Sequence, residues 1–166
     1  MSALDTGLGS AAREAIAGLV HALVERQLTV VTAESLTGGL ASYLIVDVPD
    51  SGQVMLGAIT AYATEEKERL LGVHECPVVS ARCAAQMVAG VIRAFRADCA
   101  MSFTGVAGPA EQEGQPVGTV FIGVGVGDDC EVLSERFDGD PDAVRLQAIA
   151  AGARRLQQMV VRSSDG

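Results

Sequence analysis

The chain has 166 residues, of which 49% are apolar but only 4% aromatic, and it carries a formal net charge of −9. That length fits one domain, since folded domains commonly run ~100–200 residues, and the acidic balance without a Lys/Arg cluster argues against nucleic acid as a partner. No segment approaches the ~18–20 unbroken apolar residues that cross a bilayer, and the N-terminus MSALDTGLGS has no charged head before an apolar run, so a soluble, cytoplasmic protein is expected.

Residues 10–162 read as a single domain, with 1–9 and 163–166 as flexible tails. The first helix is predicted over 10–26, where Ile16, Leu19, Val20, Leu23 and Val24 recur as one buried stripe. Leu28 to Ala33 then read as a buried strand, followed by Gly38 and Gly39 and a helix over 40–47. Such strand-turn-helix junctions hold ligand sites in open α/β sheets. A second strand is predicted over 54–62, and a short helix capped by Thr64 and stopped by Gly72 follows it.

Ser80 caps the next helix, on which Ala84, Met87, Val88, Val91, Ile92 and Phe95 share a face. Cys99 to Thr104 form a strand leading into the loop GVAGPAEQEGQP, whose glycines and prolines mark a long functional connection. Residues 118–126 and 130–137 are separated by Gly127-Asp128-Asp129 and read as an antiparallel hairpin. Asp140 caps a last helix with Pro141 at its first position, running to about Val161. The order α, β, α, β, α, α, β, β, β, α predicts a three-layer α/β/α sandwich with a mixed, mainly parallel sheet and one antiparallel hairpin. Cys76, Cys83, Cys99 and Cys130 show no C-x-x-C spacing and are read as reduced structural thiols.

The segment TAESLTGG puts Ser35 between a strand and a helix. Ser35 or Thr37 there is either a helix cap, or Ser35 is a nucleophile with the N–H groups near Gly38 and Gly39 open to an oxyanion or bound anion. A serine nucleophile needs a base. His21 lies among polar helix positions and His74 in a surface loop, which leaves Lys67. Leu70 and Leu71 share its helix face, so the lysine points inward, where desolvation would free the amine to accept a proton, or else it snorkels to solvent. Tyr62 either relays that proton and orients the base or is an amphipathic strand-end residue. Arg145, on a stripe with Ile149, Gly152 and Leu156, lies near a helix N-terminus and asks for an anion: Asp140, Asp142 or another acidic residue, or a substrate phosphate. No His/Cys cluster has metal-ligand spacing, and no dinucleotide, P-loop or G-x-S-x-G signature is present, so no metal is expected and the usual dinucleotide, NTPase and α/β-hydrolase readings fall away.

Four segments in order, TAESLTGG (32–39), GAITAYATEEKERLLGV (57–73), TGVAGPAEQEGQPVGTVFIGV (104–124) and FDGDPDAVRLQA (137–148), resemble the CinA C-terminal domain family, which includes stand-alone nicotinamide mononucleotide (NMN) deamidases. The resemblance extends from about Ala12 to Leu156. It implies an often oligomeric α/β/α domain that hydrolyses NMN to nicotinic acid mononucleotide and ammonia without a redox cofactor, and so a homodimer or higher homo-oligomer here. By the same resemblance Ser35 corresponds to the nucleophile, Lys67 to the base and Tyr62 to the neighbouring tyrosine. Thr104, Gly105 and the Gly108-Pro109 turn match the substrate-side loop, and Arg145 an arginine near the nucleotide; Thr37, Gly38 and Gly39 join the substrate-binding set.

Two positions depart from the family pattern. Leu36 stands where many members have Cys, and Gly139-Asp140-Pro141 where many have Gly-Asp-Arg. The additional N-terminal domain of full-length members, and any pyrophosphatase activity tied to it, is not expected here. A non-catalytic nucleotide- or partner-binding module of the competence/damage-inducible family, and deamidation of a different amide-bearing nucleotide, are the alternative readings.

Overall fold

The computed structural model describes residues 2–163; the predicted tail residues 164–166 lie outside the described residues. Five strands form one sheet in the order β2-β1-β3-β4-β5, with β1 Val30–Glu34, β2 Met55–Thr60, β3 Cys99–Gly105, β4 Thr119–Val126 and β5 Asp129–Arg136. β1 pairs parallel with β2 and β3, whereas β3–β4 and β4–β5 pair antiparallel. The three-layer architecture with a mixed sheet is therefore as the sequence predicts, but the antiparallel part takes in β3–β4 as well as the expected hairpin. The reason is the 106–118 connection, which carries no helix and so returns the chain alongside β3 in the opposite sense.

Period-two alternation divides the core between the two faces. Val30 of β1 and Cys99, Met101 and Phe103 of β3 face α1 (Gly7–Arg26), α2 (Leu40–Val46) and α5 (Pro141–Arg162). Val31 and Ala33, with Ala100, face α4 (Ala81–Phe95) and the end of α3 (Thr64–Leu71). The interior strand β1 is buried at all its positions, its apolar Val30, Val31 and Ala33 packing on both faces while its two polar residues pair through the Thr32 hydroxyl and the Glu34 carboxylate.

Helix ends mostly follow the sequence signals. Ser80 accepts from Cys83 N–H, Asp140 from Ala143 N–H with Pro141 next, and Gly72 closes α3 in the left-handed conformation. Two starts differ. α1 begins at Gly7 rather than residue 10, because Ser2 and Asp5 form a capping box around a 3-10 turn at Ala3–Asp5 and Thr6 then caps α1 through Gly9 N–H. α3 is entered from Ala63, so Thr64 is its first helical residue and not its cap.

α3 lies across α4 at Gly90, where a Cβ would stand 2.0 Å from the Leu71 carbonyl oxygen. That close approach fixes the depth of the helix that carries Lys67. No helix is long and apolar enough to cross a membrane among the described residues.

Candidate active site

Ser35 follows the last residue of β1, and its N–H extends the β1–β3 ladder by donating to Phe103 O at 3.1 Å. The next four residues turn sharply into α2, with Gly38 (φ 59°) and Gly39 (φ 98°) both in the left-handed region that side-chain-bearing residues avoid. The turn is held by Glu34, which sequence reasoning passed over. Its carboxylate is fully buried and accepts from Thr32 Oγ1 at 2.9 Å and Ser42 N–H at 2.8 Å on one oxygen, and from Gly39 N–H at 3.0 Å and Ala41 N–H at 3.1 Å on the other. A buried carboxylate without such donors would be prohibitive, and these come largely from the N-terminus of α2, the end where its dipole favours negative charge. One signal existed: alternation along β1 puts Glu34 on the same face as apolar Val30.

This arrangement alters one expectation. The Gly38 N–H donates to Ser35 O at 3.1 Å and the Gly39 N–H to Glu34, so neither is open to an oxyanion, and Thr37, Gly38 and Gly39 do not line the cleft beside Ser35. The N–H groups of Leu36 and Thr37, immediately after the serine, have no acceptor among the described residues. Thr37 Oγ1 is also buried without a hydrogen-bond partner.

The structure brings Ser35, Tyr62, Lys67, Thr104, Gly105, Gly108 and Arg145 to the wall of one cleft of about 160 Å³. Lys67 is 2% exposed, and its Nζ donates to the Tyr62 carbonyl oxygen at 2.7 Å. The inward face of α3 is Lys67 with Leu71; Leu70, expected beside them, turns outward. Burial lowers the Lys67 pKa below its ordinary 10.5, opposed by the negative charge of Glu113. Tyr62 therefore steadies the lysine through its main chain, while its side chain stands 80% exposed at the cleft. Cys83 is no rival nucleophile, since burial pushes its thiol up to about 12.

Thr104 donates its hydroxyl proton to Val78 O at 2.5 Å, which leaves that oxygen only an acceptor toward the cleft. Arg145 Nε donates to Leu36 O at 2.8 Å, and its Nη1 to Asp142 Oδ1 at 2.9 Å. Of the two anionic roles considered for it, the intramolecular pair with Asp142 is thus present, and the arginine also grips the peptide after Ser35. Leu36, at one of the departures from the family pattern, is buried in the α1/α2/α5 core and also borders the cleft. Pro141, at the other, is the first residue of α5. Lys67 and Arg145 are the charged residues of the cleft wall, and no Asp or Glu joins them among the described residues. In a chain of net charge −9 this is a local cationic pocket. Neither His21 nor His74 borders it. No group of three or more His, Cys, Asp or Glu among the described residues could hold a metal ion.

The family model of the CinA C-terminal domain matches residues 13–160. The chain belongs to the CinA C-terminal domain family. A CinA-like protein of Frankia casuarinae is 38% identical over 96% of this chain and 38% of its own length. A Bacillus pumilus protein whose name ties it to competence-damage induction is 37% identical over 86% of this chain and 35% of its own. The chain thus spans little more than a third of these curated relatives. Among solved structures, a CinA superfamily protein of Klebsiella pneumoniae superposes with a TM-score of 0.87 at 28% identity, covering 91% of this chain and 98% of that one. An Escherichia coli member gives 0.84 at 26% identity, with 90% of each chain covered. The five-stranded sheet and the cleft at the end of β1 thus belong to a CinA-family domain.

Proposed function

We propose that this domain is an amidohydrolase that converts NMN to nicotinic acid mononucleotide and ammonia, with Ser35 as nucleophile and Lys67 as base. The observation that carries the reading is the meeting of Ser35 with a buried, desolvated Lys67 in one cleft. Ser35 Oγ attacks the carboxamide carbon while Lys67 Nζ takes the hydroxyl proton. The tetrahedral oxyanion is met by the unpaired N–H of Leu36, which borders the cleft next to the serine. Lys67 then returns its proton to the departing nitrogen, which leaves as ammonia, and an ester joins Ser35 to the nicotinoyl group. Water adds to that ester, again giving a proton to Lys67, and the acid product leaves as the Ser35 hydroxyl is restored.

The cleft's size agrees with partial engulfment. At about 160 Å³ it is below the ~300–1,000 Å³ of sites that enclose a drug-sized ligand, so the amide-bearing ring would enter and the ribose phosphate stay at the mouth. Arg145 supplies the charge for that phosphate. The test incubates purified protein with NMN and measures ammonia and nicotinic acid mononucleotide. Turnover is expected, with a loss of at least about 10³-fold in Ser35→Ala and in Lys67→Met; full turnover by Ser35→Ala would refute the chemistry.

A second reading, a nucleotide-binding module without catalysis, is favoured by the engagement of the Gly38 and Gly39 N–H groups. Saturable NMN binding without ammonia release would select it. We also propose a cytoplasmic homo-oligomer, to be checked by fractionation and by light scattering.

A further inference from the structure

The connection from β3 to β4 is a strap over the cleft. It supplies Ala107, Gly108, Ala110 and Gln112 to the wall, alongside Val78 and Val79 from the segment before α4. At its base Val106 and Gly118 continue the ladder, through Val106 N–H to Thr119 O and Gly118 N–H to Val106 O, both at 2.8 Å. Farther out the strap is tied mainly to itself, by the reciprocal Gln112–Gln115 main-chain pair. Between Ala107 and Val117, apart from the Thr119 N–H to Pro116 O turn bond at the entry to β4, the strap's hydrogen bonds to another element among the described residues are those that Glu113 accepts. That carboxylate accepts from Val78 N–H at 3.2 Å and from Val79 N–H at 2.8 Å, one on each oxygen. Glu113 holds a left-handed backbone (φ 52°), a conformation that costs a side-chain-bearing residue energy and is offset here by two charge-assisted bonds.

We propose that Glu113 is a positioning residue: its carboxylate latches the strap onto the main chain of Val78 and Val79 and so sets the cleft wall against which the substrate is held. The substrate part of this inference rests on the amidohydrolase reading above; the latch does not. Glu113 has a second effect, on Lys67. The groups that act on the lysine are Cys83 from α4 and Glu113 from the strap, with the Tyr62 carbonyl as its hydrogen-bond acceptor and Arg145 in the same cleft wall. Of these, the Glu113 carboxylate favours the protonated lysine, so its loss favours the neutral amine.

Glu113→Gln keeps the shape but turns an NH₂ toward one of the two N–H donors, and Glu113→Ala removes both acceptors. Hydrogen exchange of the full chain, followed by mass spectrometry, is expected to quicken about tenfold over 106–118 and at Val78–Val79 in both variants, the change that loss of one net hydrogen bond gives. Thermal unfolding stays near that of the parent, because the side chain is exposed. With NMN, KM rises about tenfold while kcat changes much less. The acidic limb of the pH profile moves to lower pH, which a purely structural loosening would not cause. Unchanged strap exchange in both variants overturns the latch, and faster exchange with an unchanged KM overturns its role in setting the wall. If the parent chain releases no ammonia from NMN, the amidohydrolase reading fails and the exchange comparison alone decides the latch.

Discussion

Replacing Glu34 by Gln tests whether one buried carboxylate holds the turn that presents Ser35. Each oxygen of Glu34 accepts two hydrogen bonds. If the new NH₂ takes the place facing Gly39 and Ala41, two main-chain donors are left facing a donor. If it faces Thr32 and Ser42, the Thr32 hydroxyl can rotate to accept, and only the Ser42 N–H is stranded, so this orientation is preferred. One stranded buried donor costs ~1–3 kcal/mol, and two remaining bonds weaken from charge-assisted to neutral, each by about 1 kcal/mol. Removing a buried charge offsets part of this. The expected net loss is about 2–4 kcal/mol, or roughly 4–16 °C in unfolding midpoint at ~2–4 °C per kcal/mol for a chain of this size. Urea and thermal unfolding measure it, and at a temperature where the variant is folded its ammonia release from NMN should still be depressed. A Glu34→Gln protein within about 0.5 kcal/mol of the parent would refute the assignment of the turn's stability to this carboxylate.

Because burial holds Lys67 below 10.5, kcat/KM for NMN should rise with pH along a limb whose midpoint lies below that value, as the neutral base forms; a limb at or above 10.5 would exclude Lys67 as base. The same shift makes the folded state bind fewer protons, so Lys67 contributes stability that rises with pH from its lowered pKa up to 10.5, a slope that Lys67→Met should abolish in pH-dependent unfolding. Thr37→Val replaces a buried hydroxyl without a partner, so stability should hold or rise by about 1 kcal/mol; a loss of NMN turnover at unchanged stability would assign that hydroxyl to the substrate. Arg145→Lys forfeits the planar fork that reaches both Leu36 O and Asp142, and should raise KM for NMN by about tenfold, as titration of initial rates will show.

Much of the scaffold was legible in the residues because it follows local rules. The Ser80 and Asp140 caps, the Gly72 stop, the β4–β5 hairpin and the stripes of α1 and α4 all rest on contacts a few positions apart. The inward direction of the Lys67 stem was legible too, through Leu71 one turn on, whereas the choice between a buried ammonium and one that snorkels to solvent was not. What the chain order did not disclose was how polar groups spend their hydrogen bonds once the elements pack against one another. Glu34 claims the Gly39 N–H once α2 folds back on β1, Arg145 reaches Leu36 from the far end of the chain, and Glu113 meets Val78 and Val79 only when the strap closes. Residue types and spacing therefore settle which groups are present and which face of an element they occupy. Which donors remain open beside Ser35 is decided by tertiary packing, because a buried polar group takes whatever partner the fold brings within about 3 Å.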